Sequence, residues 1–194
     1  KAEAHFARFP MPQYMQNLQR VMDPALLMAV ARNESGFRED ARNPNSGATG
    51  MMQMLPSTAR VVERQVGEAL LREASMTDVN TPIAERLSNP AMSARYAAEY
   101  LKMLNKVPVI EGNLIYLLVG YNAGPGTAAN WKSASKNIQD PLLFIESIPF
   151  AETRNYVMQV LAQYWTYQLM MDEQPTSLTT LSKGEWPAFP TETD

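Results

Sequence analysis

The sequence predicts a mainly α fold in one domain, and three observations carry that prediction. Apolar residues recur at helical spacing in several long segments, as in Met92, Tyr96, Tyr100, Leu101 and Leu104. Two segments, residues 24–31 and 114–121, are apolar on every side, as helices at the centre of a core are. No β-branched alternation is long enough to support a major sheet, leaving room only for a very small hairpin around residues 36–50.

The elements follow in order. A short helix is expected around residues 13–21. Asp23 is an N-cap, Pro24 suits the first helical position, and Gly36 fits a left-handed stop, so a buried helix runs over 24–35. The loop 43–50 is rich in turn formers, and Pro56 opens the next helix. Residues 67–81 read as a short helix with an irregular link. Pro90 begins a strong helix through 106, followed by the central apolar helix from Leu114 to Tyr121. Gly124-Pro125-Gly126 breaks that helix before a short one ending near Trp131. Residues 141–147 form another short helix. Residues 151–171 form a long one, burying Tyr156, Val160, Tyr164 and Tyr167. Beyond Asp172, Pro175, Pro187 and Pro190 argue for an extended tail packed on or near the domain. The expected organisation is a helical lead-in over 1–22, a main domain over 23–172 and the tail over 173–194.

Composition narrows the chemistry. With 194 residues, 45% hydrophobic and 19% charged, the chain can bury one substantial core. The net charge of −3, without a Lys/Arg run, argues against nucleic acid as a partner. There is no cysteine and one histidine, His5, which excludes thiolate catalysis and cysteine zinc sites and makes a serine–histidine triad implausible. No metal site or cofactor is expected. No run of eighteen apolar residues suggests a membrane span, and residues 1–10 do not form a signal peptide. Chemistry therefore falls to carboxylates, amides, hydroxyls and backbone.

Glu34 is the leading carboxylate. It stands on the last turn of the apolar helix, on the face of Leu27 and Val30. Poor hydration and the negative end of the helix dipole both disfavour its ionised form, which suits a general acid. A second segment runs Gly47-Ala48-Thr49-Gly50-Met51-Met52-Gln53-Met54-Leu55-Pro56. Its glycines allow close backbone approach, and the Gln53 amide both donates and accepts, as sugar hydroxyl and acetamido groups require. The methionines read as core filler or groove lining. The third segment is Gly120-Tyr121-Asn122-Ala123-Gly124-Pro125-Gly126, where a phenol and an amide precede a glycine-rich break. Taken singly, each of these also reads as an ordinary turn or helix end.

In this order, the three segments resemble the catalytic signature of the soluble lytic transglycosylases of bacterial peptidoglycan, in the goose-type lysozyme-like group. The resemblance continues through Phe144-Ile145-Glu146-Ser147-Ile148-Pro149-Phe150 and Glu152-Thr153-Arg154-Asn155-Tyr156-Val157, and covers roughly residues 23–167. It implies a lysozyme-like fold with Glu34 as catalytic acid/base. Gln53 would line the groove, Tyr121 would contact the catalytic carboxyl and Glu146 would engage the muropeptide side of the substrate. Ser35, Met52 and Asn122 complete the implied substrate-binding set. The chain departs from the family pattern at Met51 (commonly Leu), Gly120 (commonly Ala), Pro44 (often Ser) and Leu55 (often Met), none of which touches the acid.

The implied reaction is non-hydrolytic cleavage between N-acetylmuramic acid and N-acetylglucosamine, giving 1,6-anhydromuramyl ends with a single carboxyl group. Glu39 and Asp40, in a charged loop, are the only candidates for a second carboxylate and keep a hydrolytic muramidase open as an alternative. A non-catalytic peptidoglycan-binding module on the same fold and a helical adaptor are the others. Glycan strands and muropeptides are the implied partners, with a periplasmic or cell-wall location and a further helical domain upstream.

Overall fold

The computed structural model describes residues 9–67, 70 and 80–190. The link expected at 67–81 and the first part of the lead-in lie largely outside these residues. Among the described residues the helices are α1 (Gln13–Gln16), α2 (Pro24–Ser35), α3 (Pro56–Val66), α4 (Ile83–Ser88), α5 (Pro90–Asn105), α6 (Leu114–Ala123), α7 (Pro125–Ala134), α8 (Pro141–Ser147), α9 (Ala151–Met170) and α10 (Thr176–Ser182). The chain forms two compact units that divide between Tyr100 and Leu101, inside α5. The stretch read as one domain over 23–172 is made of these two units, and a division inside a helix leaves no linker composition for a sequence to display.

In the first unit, α2 is the core. Asp23 accepts a 2.8 Å hydrogen bond from the Ala25 amide, and Pro24 occupies the first turn, where its missing N–H costs nothing. Ala25 through Ala31 are fully buried, as an all-round apolar helix should be. Gly36 ends the helix at φ 63°, its amide bonded to the Arg32 carbonyl at 3.0 Å, while the Phe37 amide reaches the Ala31 carbonyl at 3.4 Å. The small hairpin reduces to isolated antiparallel bridges, Arg42 with Thr49 and Thr49 with Met54. α1 is shorter than the expected 13–21, because residues after Gln16 continue in turns, with the Val21 amide on the Leu18 carbonyl at 2.7 Å.

In the second unit, α6 packs against α7 and α9. The Asn113 side chain caps α6 by accepting from the Tyr116 amide at 3.0 Å, and Leu114 through Gly120 are buried. Gly120 is a close-approach position: a Cβ there would lie 2.7 Å from Ile110 Cδ1. α9 buries Tyr156, Val160, Tyr164 and Tyr167. Tyr100, expected in the core, is only partly buried.

The tail is not simply extended. Pro175 starts α10 rather than breaking a helix, since proline suits a helix start as well as a helix end. α10 buries Leu181 and Ser177, whose hydroxyl accepts from Trp165 Nε1 at 2.8 Å. Beyond it the backbone does straighten. The Pro187 carbonyl accepts from the Leu114 amide at 3.0 Å, and the Phe189 amide donates to the Gly112 carbonyl at 2.8 Å. Among the described residues no helix is long and apolar enough to cross a membrane.

Candidate active site

In the first unit the last turn of α2 is tied to the glycine-bearing loop. Glu34 is partly buried there, and Ser35 beside it is 8% exposed. The Ser35 hydroxyl donates to the Met51 carbonyl at 2.8 Å and accepts from the Arg38 amide at 3.0 Å. Its one proton and one of its lone pairs are thus engaged within the protein, and Ser35 ties the last turn of α2 to the loop. Tyr14 donates to the Met51 sulfur at 3.4 Å from the other side.

The loop itself depends on Gly50. At φ 78°, a Cβ there would lie 1.8 Å from the Leu87 carbonyl oxygen and 3.1 Å from Ser93 Oγ. Glycine alone permits that approach. Ser93 Oγ also accepts from the Met52 amide at 3.3 Å. Met51 and Met52 are fully buried and Met54 is 3% exposed. Met52, expected to contact substrate, therefore packs inside the unit, where a flexible apolar side chain fills space.

Gln53 sits at φ 46°, in the left-handed region, and is partly buried. Its amide nitrogen donates to the Gly50 carbonyl at 2.9 Å and the Ala41 carbonyl at 3.2 Å. Both amide protons are used to brace the loop, and Oε1 is the acceptor of the same amide. The structure thus brings together Glu34, Ser35, Met51, Met52 and Gln53 in one region.

In the second unit the C-terminal end of α6 meets the start of α9. Tyr121 and Asn122 are partly buried, and Asn122 Oδ1 accepts from Thr153 Oγ1 at 2.7 Å. Thr153 is 3% exposed, and its partnership with Asn122 was not anticipated, although it lies in the recognised Glu152-Thr153-Arg154 run. Arg154 donates to the Ile148 carbonyl at 2.8 Å and holds the α8–α9 corner. Glu146 is exposed on α8, between exposed Leu142 and Leu143 and exposed Phe150. The Phe150 ring meets Trp131 edge-on at 5.3 Å.

A cavity of about 600 Å3 lies apart from these residues in the first unit, lined by Pro56, Arg60, Glu63, Thr81, Ile83 and Arg86 among others. Among the described residues no group of three histidine, cysteine or acidic side chains is placed to hold a metal ion. Chemically, Glu34 can exchange a proton, while Gln53 and Asn122 bring amides suited to neutral polar ligands.

The profile of the Transglycosylase SLT domain family matches residues 12–144, more than half of the chain. That of the soluble lytic transglycosylase helical domain matches residues 147–175. The chain is similar to the soluble lytic murein transglycosylase of Escherichia coli, with 33% identity over 159 residues, 82% of this chain and 22% of that protein. It therefore spans about a fifth of that relative's length. Among solved structures it resembles the 70 kDa soluble lytic transglycosylase of Escherichia coli, with TM-score 0.77 and 30% identity over 95% of this chain and 28% of the other. It also resembles lytic transglycosylase Slt of Pseudomonas aeruginosa, solved as an inactive Glu-to-Gln mutant, with TM-score 0.70 and 31% identity over 88% of this chain and 26% of that one.

Proposed function

We propose, from the premise that this chain belongs to the Transglycosylase SLT domain family, that it cleaves peptidoglycan glycan strands without water, using Glu34 as its single acid and base. The observation that carries the reading is the position of Glu34 on the last turn of the buried α2, with Ser35 beside it fastened to the Met51 carbonyl. The turn that bears the carboxyl group is fixed in this way, as a group that transfers protons requires. A structural neighbour that is inactive with one glutamate changed to glutamine supports a reaction that depends on a glutamate carboxyl group.

In this mechanism Glu34 protonates the oxygen of the bond between N-acetylmuramic acid and N-acetylglucosamine, and that bond breaks at the muramyl C1. The resulting carboxylate takes the proton of the muramyl C6 hydroxyl, whose oxygen bonds to C1 and closes the 1,6-anhydro ring. Proton, leaving group and nucleophile all come from the enzyme–substrate pair, so no cofactor is required. Proton transfer of this kind contributes ~10²–10⁴-fold. The C6 hydroxyl, being part of the same sugar, adds the advantage of an intramolecular reaction. Gln53 Oε1 and Asn122 are the amides we assign to substrate. Tyr121 and the exposed Glu146 are further groups of the second unit that we assign to substrate. Glycan strands and muropeptides are the partners, the periplasm or cell wall is the setting, and a helical domain elsewhere in the same protein is the further partner.

The test is Glu34→Gln. The variant should fold and retain glycan binding while turnover of purified sacculi falls by at least about 10²-fold. Mass spectrometry of wild-type products should show anhydromuropeptides lighter by one water than hydrolysed ones. Hydrolysed products would favour a muramidase using Glu39 or Asp40, and an active Glu34→Gln enzyme would move the acid elsewhere.

A further inference from the structure

The first unit contains, on the wall of its cavity, a partly buried polar cluster that the proposed reaction does not use. Arg86 on α4 pairs with the Glu63 carboxylate on α3, and the Tyr96 hydroxyl on α5 donates to the same carboxylate oxygen. Arg86 Nη1 also lies 3.3 Å from the Tyr96 oxygen, and its Nε donates to the Thr81 carbonyl at 2.8 Å. The Arg86 side chain is 10% exposed and Tyr96 is fully buried. One guanidinium thus fastens α4 to α3, to α5 and to the chain that enters α4. Arginine suits this because its donors form a rigid planar fork.

What α4 carries next is the Leu87 carbonyl, the surface against which Gly50 closes. On α5, three residues before Tyr96, Ser93 accepts from the Met52 amide. Between these two supports the loop presents the Met51 carbonyl to the Ser35 hydroxyl, beside Glu34, and sets Gln53 in its left-handed conformation. The contacts therefore run unbroken from Arg86 and Tyr96, through Leu87 and Ser93, through residues 50–53, to the last turn of α2.

We propose that Glu63, Arg86 and Tyr96 are positioning residues for the proposed reaction: they fix the seat on which the loop 50–53 aligns Gln53 and the turn bearing Glu34. The inference rests on the reading of Glu34 as the acid. Buried charged groups do not by themselves add stability over apolar residues of similar volume, but they can define one geometry among several. Stability and alignment should therefore separate on mutation.

The experiment uses the 194-residue chain with the paired change Glu63→Met and Arg86→Met, and separately Tyr96→Phe, which removes a single oxygen. Measurements are thermal unfolding, kcat and KM on sacculi, and amide hydrogen exchange at residues 50–53. The paired variant should melt within a few degrees of wild type, with kcat at least tenfold lower and exchange at 50–53 at least tenfold faster. Tyr96→Phe should shift both in the same direction by about threefold. Wild-type kcat and unchanged exchange at 50–53 in either folded variant would overturn the proposal. So would a loss of activity that follows melting temperature alone, with exchange at 50–53 unaltered. If the paired variant does not fold, Tyr96→Phe decides. Absence of turnover in the wild-type chain would instead count against the proposed reaction, while the exchange measurement would still report on the seat.

Discussion

At the scale of single residues, two glycines in the same loop make different predictions. Gly47 has φ 77° with open space where a side chain would go, so Gly47→Ala meets only backbone strain, about 1 kcal/mol. Gly50 has a similar φ but faces the Leu87 carbonyl, so Gly50→Ala adds a backbone clash that neither helix can relieve by a rotamer change. Its expected cost is ~2–4 kcal/mol, read from urea midpoints with unchanged slope, together with loss of activity. Equal midpoints for the two variants would remove Leu87 from the account. Only part of this was legible in the sequence. Asp23, Pro24 and Gly36 announced their helix because capping is local chemistry. The inward use of Ser35, the burial of Met52 and the bracing role of the Gln53 amide were not legible, since they depend on how the loop folds back on α2, on α5 and on itself.

At the scale of elements, helix starts were the most readable feature. Prolines stand at the first positions of α2, α3, α7 and α8. Pro175 was misjudged because the same residue signals an end or a beginning, and only the packing of Leu181 and Ser177 decides between them. That tail now has a function in the second unit. Trp186 stacks on Tyr116 with centroids 5.1 Å apart, and its Nε1 donates to the Gln139 carbonyl at 2.8 Å. Lys132 lies 4.7 Å over the same Tyr116 ring, so the aromatic is held on two sides near the first turn of α6. With the Pro187 and Gly112 hydrogen bonds, the tail satisfies donors and acceptors around the start of the helix that ends in Tyr121 and Asn122. Trp186→Ala should cost about 2 kcal/mol, less than a fully buried tryptophan because this one is only partly covered. Chemical denaturation measures it, and no loss of stability would make the strap dispensable.

At the scale of the whole molecule, the buried phenols give the chain a characteristic weakness in alkali. Burial raises the pKa of Tyr14, Tyr96, Tyr100 and Tyr116 above the ordinary 10.0, and for Tyr96 the hydrogen bond to Glu63 pushes further in the same direction. The folded chain then holds these protons more tightly than the unfolded one. Their stabilising effect is complete below pH 10 and declines as the pH rises past that value, because the unfolded chain ionises first. Stability should therefore not vary with pH through these groups near neutrality and should fall steadily above about pH 10. Tyr96 should supply much of that slope, since it is fully buried and its hydroxyl faces a carboxylate. Tyr96→Phe should accordingly be less stable than wild type at pH 8 by about 1 kcal/mol, the net worth of a hydrogen bond, yet lose less on going to pH 11.5. Urea midpoints at the two pH values test both halves of the statement. Parallel declines in the two proteins would show that Tyr96 does not hold its proton more tightly when folded. Converging declines would identify Tyr96 as a source of the alkaline loss, separately from any effect on turnover.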